Sequence, residues 1–350
     1  KKMKIKKNKL ISLDKFIDDS LYNEKFGYYM KKNPFGSKGD FITAPNISIL
    51  FSEMIAIWII SFWKNLKCPT KFNLVELGAG NGDMMKVLIN TFHKFPEFDN
   101  ACNINILEKS KLLKSLQKKN INNKKVIWLR NLDELDKKPS IFVANEFFDA
   151  LPIKQFIKKK NKWYERHVNL DDPKKLKYQD ISFNIKELEK KIKFKISDKQ
   201  NFIEYSPIGI EYLKNVLNKV KLNDGGFLII DYGYTEKKIK NTLQAVSNHM
   251  YSNVLDSYGK SDITHNISFD LFNKIIKKLG SLSAVTTKQR HFLTKLGIFE
   301  RAEIISKNIP FSKKTDIFYR IKRLIDKDQM GDLFKVLFIT KKENKFTLGF

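Results

Sequence analysis

The sequence predicts an α/β fold, a mostly parallel sheet with helices on both faces. Three observations predict it. A short apolar run ending in Glu76 meets three alternating glycines, Gly78, Gly80 and Gly82, and an apolar-periodic stretch opens at Met84. That order reads as strand, tight turn and helix start. A second apolar run, residues 103–107, ends on an acid, Glu108. Beyond it, strand-like and helix-like segments keep alternating, the pattern of a parallel sheet.

The elements follow in order. Residues 9–22 carry Leu10, Leu13, Phe16, Ile17 and Leu21 at helical core spacing. An aromatic loop, 26–30, and an irregular Gly- and Pro-rich stretch, 33–45, lead to a helix that Ser48 can cap. After Glu108 the sequence predicts a helix near 109–119 and strands at 126–129 and 140–144. Residues 153–200 break the rhythm with polar–apolar alternations that predict antiparallel strands. A helix near 207–221, a strand at 226–230, helices near 268–279 and 313–326, and a last strand near 334–339 complete the chain.

Glycines at alternate positions free the backbone to approach a ligand, and the helix start behind them offers N–H groups and a positive dipole end. The dinucleotide fingerprint is G-x-G-x-x-G; here the third glycine comes one residue early and an acid precedes the first. That arrangement resembles motif I of the class I S-adenosyl-L-methionine (SAM) methyltransferases. A carboxylate at Glu108, after the second parallel strand, can accept hydrogen bonds from two ribose hydroxyls. On these residues alone a packing turn and a plain surface Glu stay open as readings.

Longer motifs narrow the choice. Gly27-Tyr28-Tyr29, Phe35-Gly36, Gly39-Asp40-Phe41, Thr43-Ala44-Pro45 and Ser48 resemble a distinctive stretch of the MidA family of SAM-dependent methyltransferases. So do Asn145-Glu146 with Asp149-Ala150-Leu151-Pro152, Asp231-Tyr232-Gly233, Gly259 with Asp262-Ile263-Thr264, Leu296-Gly297-Ile298 and Met330-Gly331 with Leu333-Phe334-Lys335. The resemblance covers about residues 10–350 and departs at the Ala79-Gly80-Asn81-Gly82 interior of the glycine motif.

The resemblance implies a class I methyltransferase, Rossmann-like core at 71–152 and 201–350, an amino-terminal helical cap at 1–70 and a small inserted α+β subdomain at 153–200 that meets substrate or partner. It implies S-adenosyl-L-methionine as cofactor, held by Glu76, Gly78, Ala79, Gly80, Gly82 and Glu108, with Asp40, Thr43 and Ser48 from the amino-terminal segment. The implied substrate is arginine of a protein, with a respiratory complex I subunit as one target. Asn145-Glu146 falls at the carboxyl end of a predicted parallel strand, where open α/β sheets bind ligands. Glu146, Asp149 and Asn145 are therefore the candidate catalytic residues, since a carboxylate can hold a guanidinium bidentately. Tyr28, Tyr29, Asp231, Asp262, Thr264 and His265 are candidate substrate contacts.

Composition sets outer bounds. The 350 residues carry a net charge of +28, but 60 of the 66 basic residues are Lys, and with abundant Asn, Ile and Phe this reads as the compositional bias an AT-rich genome would produce. The charge predicts salt-dependent, nonspecific attraction to polyanions. An RNA methyltransferase and a non-catalytic assembly factor on the same fold stay open. Cys68 and Cys102 form neither a disulfide framework nor a zinc pattern, the five histidines are scattered, and no metal site is expected. A reducing compartment fits; the resemblance implies bacterial cytoplasm or mitochondrial matrix. The longest apolar stretch, 54–62, is too short to span a membrane, and the basic first residues lack the apolar core of a secretory signal. Oligomeric state has no signature.

Overall fold

A computed structural model describes residues 10–31, 34, 43–172, 175–247, 250–256 and 258–350. Among the described residues its centre is a mixed sheet of eight strands, the short Ile267–Ser268 pairing beside a continuous path of seven. In chain order the seven are β1 (Phe72–Leu77), β2 (Cys102–Leu107), β3 (Ile127–Leu129), β4 (Ser140–Asn145), β5 (Gly225–Tyr234), β6 (Leu282–Lys288) and β7 (Phe334–Lys341). Across the sheet they run β6-β7-β5-β4-β1-β2-β3. The pairs from β3 through β5 are parallel, and β7 is antiparallel to both β5 and β6. The strand order reverses between β1 and β4, which opens a crevice at their carboxyl ends.

Strand periodicity explains the two-sided core. Leu74, Ile104, Ile141, Val143, Leu228 and Val336 bury on one face; Val75, Leu77, Phe142, Ala144, Phe227 and Leu337 bury on the other. The first face is covered by helices α2 (Ile49–Asn65) and α3 (Asp83–Phe92), where Trp58 packs edge-on to Phe338 at 4.9 Å. The second is covered by α5 (Pro207–Asn223) and α6 (Phe269–Lys278). Helix α4 (Lys111–Ile121) follows β2, and α7 (Phe311–Ile325) precedes β7.

Two smaller sheets accompany the central one. Strands Lys154–Lys159, Lys162–Asn169, Lys177–Phe183 and Phe202–Tyr205 form an antiparallel sheet that Leu10–Ser12 joins. Lys160 and Asn161 both take positive φ, the type I′ signature that suits a two-residue hairpin. Gln244–Ser247, Met250–Ser252 and Asp262–Thr264 form the other.

Several sequence expectations need correction. Residues 10–12 are extended, because they pair with 167–169, and helix α1 starts only at Leu13 (Leu13–Tyr22). Residues 185–192 form a helix inside the segment read as strands; Ile185, Leu188 and Ile192 put their apolar groups on one helical face. The 244–264 sheet, β6 and the helices at Gln289–Lys295 and Ile298–Ser306 were not predicted. Among the described residues no helix is long and apolar enough to cross a membrane.

Candidate active site

The turn between β1 and α3 holds Gly78, Gly80 and Gly82 at φ of 67°, 54° and 88°. L side chains rarely adopt that region, and at Gly78 there is no room either: a Cβ would lie 2.6 Å from the Phe147 ring. Gly78 N–H donates to Leu107 O at 3.0 Å, fastening the turn to the end of β2. Gly78 and Gly80 wall a cavity of about 540 Å³ at the carboxyl ends of the parallel strands. That is ample for a nucleoside-sized ligand.

Glu108 lines the same cavity just beyond β2. Ser110 N–H donates to its Oε1 at 2.8 Å and Gln117 Nε2 to its Oε2 at 2.9 Å. Burial raises its pKa, while these two donors pull it back. Beneath the turn, Glu76 is buried with Oε2 unpartnered, and burial, then Glu108, pushes its pKa up to about 8. Glu76 and Ala79 border a second hollow that also touches Thr43, Asn145 and Glu146.

The end of the neighbouring strand β4 is acidic. Glu146 stands directly after β4 at φ 49°, its N–H bonded to Ile230 O at 2.9 Å. Its Oε1 accepts from Ala44 N–H at 3.3 Å and Asn145 Nδ2 at 3.2 Å. Burial and then Asp149 raise its pKa to about 8. Asp149 accepts the Tyr232 hydroxyl at 2.6 Å on Oδ2, leaves Oδ1 unpartnered, and is raised to about 6 by burial against the pull of Tyr232. Asp231, fully buried in β5, accepts Phe148 N–H at 3.1 Å, Asp149 N–H at 3.3 Å and Tyr232 N–H at 2.9 Å. Burial and then the two neighbouring acids raise it strongly. Among the described residues no Lys or Arg ion-pairs with Glu146, Asp149 or Asp231. Uncompensated buried carboxylates are unfavourable unless they await a cationic ligand or share protons.

The bare glycine wall, the acid after β2 and the orphaned Glu76 oxygen fit a SAM-sized nucleoside amino acid. Comparison with known proteins agrees. Residues 54–286 match a family described as "Putative S-adenosyl-L-methionine-dependent methyltransferase". The chain belongs to this family. It is 27% identical to the protein arginine methyltransferase NDUFAF7, mitochondrial, of Xenopus tropicalis, over 95% of this chain and 83% of that one. Against the human protein of the same name the identity is 28%, over 95% of this chain and 80% of that one. It shares its fold with a Burkholderia thailandensis protein crystallised bound to S-adenosyl-homocysteine, at a TM-score of 0.79 and 23% identity, over 97% of this chain and 90% of that one. The protein is thus a SAM-dependent methyltransferase.

In this methyltransferase Gly78, Gly80, Glu108, Thr43, Tyr29, Glu146, Asp149, Asp262 and Thr264 converge on the main cavity. Tyr29 reaches it with its hydroxyl bonded to Asp262 Oδ1 at 2.8 Å. Other predicted residues sit elsewhere. Gly82 caps α3 and gives room to Ile121, whose side chain would lie 3.0 Å from a Cβ there. Ser48 caps α2 by accepting Leu50 N–H at 3.3 Å. Tyr28 is buried edge-on against Tyr29 at 5.2 Å. Asp231 lies behind the cavity and shapes the 146–149 turn through backbone N–H groups. His265 faces a separate small cavity beside Glu204, and burial holds its pKa down to about 4, so it is neutral. Asp40 lies outside the described residues. Tyr22, Phe147, Tyr212, Tyr232 and Arg323 also line the cavity and were not singled out from sequence. Tyr232 sat in plain view within the Asp231-Tyr232-Gly233 motif. Among the described residues no group of His, Cys, Asp or Glu is arranged to hold a metal.

Proposed function

We propose that this methyltransferase methylates the guanidinium of a protein arginine, with Glu146 and Asp149 holding the substrate. The observation that carries the reading is the pair of buried carboxylates lining the cavity, Glu146 and Asp149, neither of them ion-paired to a Lys or Arg among the described residues. A guanidinium supplies the missing charge and a planar fork of donors for paired carboxylates. The naming of the relatives as protein arginine methyltransferases points the same way.

SAM, when bound, supplies a methyl group on a sulfonium. The chain's own contribution is to bind, orient and handle a proton. Gly78, Gly80 and Glu108, with Thr43 and Glu76 nearby, hold the donor. Asp149 keeps Oδ2 on Tyr232 and offers its free Oδ1 to the substrate. Glu146, anchored by Ala44 N–H and Asn145, offers the second carboxylate. Alignment of the two reactants at contact distance can contribute several kcal/mol. A guanidinium keeps its proton at neutral pH, so one must leave during or after transfer. Glu146, with a pKa near 8, is suited to accept it.

The finer assignments belong to the same proposal. Residues 1–70 act as a cap, with 71–152 and 201–350 as the core and 153–200 as a docking subdomain. A respiratory complex I subunit is the target, in mitochondrial matrix or bacterial cytoplasm. The test is radiolabel transfer from SAM into total protein and total RNA, followed by mass spectrometry of proteins that lose arginine methylation on deletion. Label in protein arginine that disappears with Glu146→Gln is expected. Label confined to RNA, or undiminished in that variant, overturns the reading.

A further inference from the structure

Gln117, in the middle of α4, is wholly buried, yet its side chain reaches three separate elements. Trp128 Nε1–H donates to Gln117 Oε1 at 2.9 Å. Gln117 Nε2 donates to Gly80 O at 2.8 Å and to Glu108 Oε2 at 2.9 Å. An indole N–H can only donate, so Trp128 fixes the oxygen's side of the amide and turns both amide protons toward the other two partners. The backbone follows closely: the Gln117 Cα lies 3.4 Å from where a Cβ on Gly82 would stand. One amide therefore spans the glycine turn after β1 and the acid after β2.

A buried helix position would ordinarily take Leu. A primary amide is stable there because every hydrogen-bonding group on it is used. Glu108 gains equally, since Ser110 N–H on Oε1 and Gln117 on Oε2 fix the plane of its carboxylate. Each oxygen keeps a further acceptor site for the cavity.

We propose that Gln117 is a positioning residue for the methyl donor, holding Glu108 at a fixed separation from the glycine turn so that the carboxylate grips the donor's ribose hydroxyls. The proposal rests on reading Glu108 as the ribose ligand, and the test separates the two. Calorimetry compares S-adenosyl-homocysteine with its 2′,3′-dideoxyribose analogue on the wild type, Glu108→Ala, Gln117→Met and Gln117→Glu. The wild type should prefer the hydroxylated ligand, and Glu108→Ala should lose that preference.

Gln117→Met should weaken S-adenosyl-homocysteine about tenfold, the size of a lost hydrogen bond to a charged group. It should leave the dideoxy analogue within about twofold, because the loss is transmitted through the hydroxyls. Gln117→Glu keeps the shape and the acceptor for Trp128 but sets a second acid against Glu108; it should show the same selective loss, and it decides the matter if the Met variant does not fold. Equal weakening of both ligands would mean a purely structural role and overturns the proposal, as does unchanged binding. Equal binding of both ligands by the wild type removes the ribose reading of Glu108, and the proposal with it.

Discussion

Glu146 carries two burdens at one position: a left-handed backbone and an acid withdrawn from water. A non-glycine residue at positive φ costs about 1–2 kcal/mol. Such strain concentrates where geometry serves a ligand. The carboxyl group has an unfolded pKa of about 4.3 and a folded value of about 8. Between those values the folded state holds a proton that the unfolded state has released, so stability falls as pH rises through that window. Glu146→Gln removes the titration while keeping an acceptor for Ala44 N–H. The variant should melt higher than wild type by a few degrees near pH 8, and the gain should vanish near pH 4. Its turnover should fall by about 10² or more, with S-adenosyl-homocysteine affinity within about threefold. Melting curves across pH and one kinetic series check this; a variant less stable at pH 8 would contradict the burial argument. If Glu146 and Asp149 hold the substrate as proposed, activity of the wild type should rise between about pH 6 and pH 8, as Asp149 and then Glu146 lose their protons.

At the scale of elements, the cavity depends on joints between segments far apart in sequence. Ser110 caps α4 by accepting Leu113 N–H at 3.2 Å, and its own hydroxyl donates to Tyr29 O at 2.7 Å. The same side chain thus starts a core helix and ties down the aromatic segment that reaches Asp262. Ser110→Ala should cost about 1 kcal/mol for the cap and more for the lost hydrogen bond to the Tyr29 carbonyl. A melting temperature lowered by several degrees, with S-adenosyl-homocysteine binding weakened, is the expected result; an unchanged melting point would show the joint to be idle. Joints of this kind are what sequence reading misses. The strand–glycine–helix unit at 73–89 and the acid at 108 were legible because each is a local pattern with its own period. Strand β6 was not: Leu282 is its one fully buried residue, so alternation barely registers. Asp262–Thr264 is three residues long, too short for any period, although two of its residues line the cavity. Motif matching found Asp231, and its place next to a matched motif singled out His265, but neither signal could say which way the side chain faces. A carboxylate that braces a turn and one that touches substrate leave the same mark in sequence.

The whole molecule brings 78–80, 108, 146–149, 232 and 262–264 to one end of one sheet. A ligand lying there bridges both sides of the strand-order reversal and touches the 244–264 sheet and the amino-terminal segment too. It binds the folded chain and has no site on the unfolded one, so it must stabilise the whole by mass action. At a hundredfold excess over Kd that amounts to about 2.7 kcal/mol. For a chain of this size it should appear as a rise of several degrees in melting temperature. S-adenosyl-homocysteine should produce the rise and NAD should not, because the third glycine comes one residue too early for the dinucleotide fingerprint. Glu108→Ala should shrink the shift, and 0.5 M salt should leave it nearly intact, since the contacts are hydrogen bonds to backbone and to a half-buried carboxylate and not to surface lysines. Retention on a polyanion column, which draws on the net charge of +28, should fall away in the same salt. A shift with NAD and none with S-adenosyl-homocysteine would assign the glycine turn to another ligand. A salt-sensitive S-adenosyl-homocysteine shift would move the site from the crevice to the charged surface.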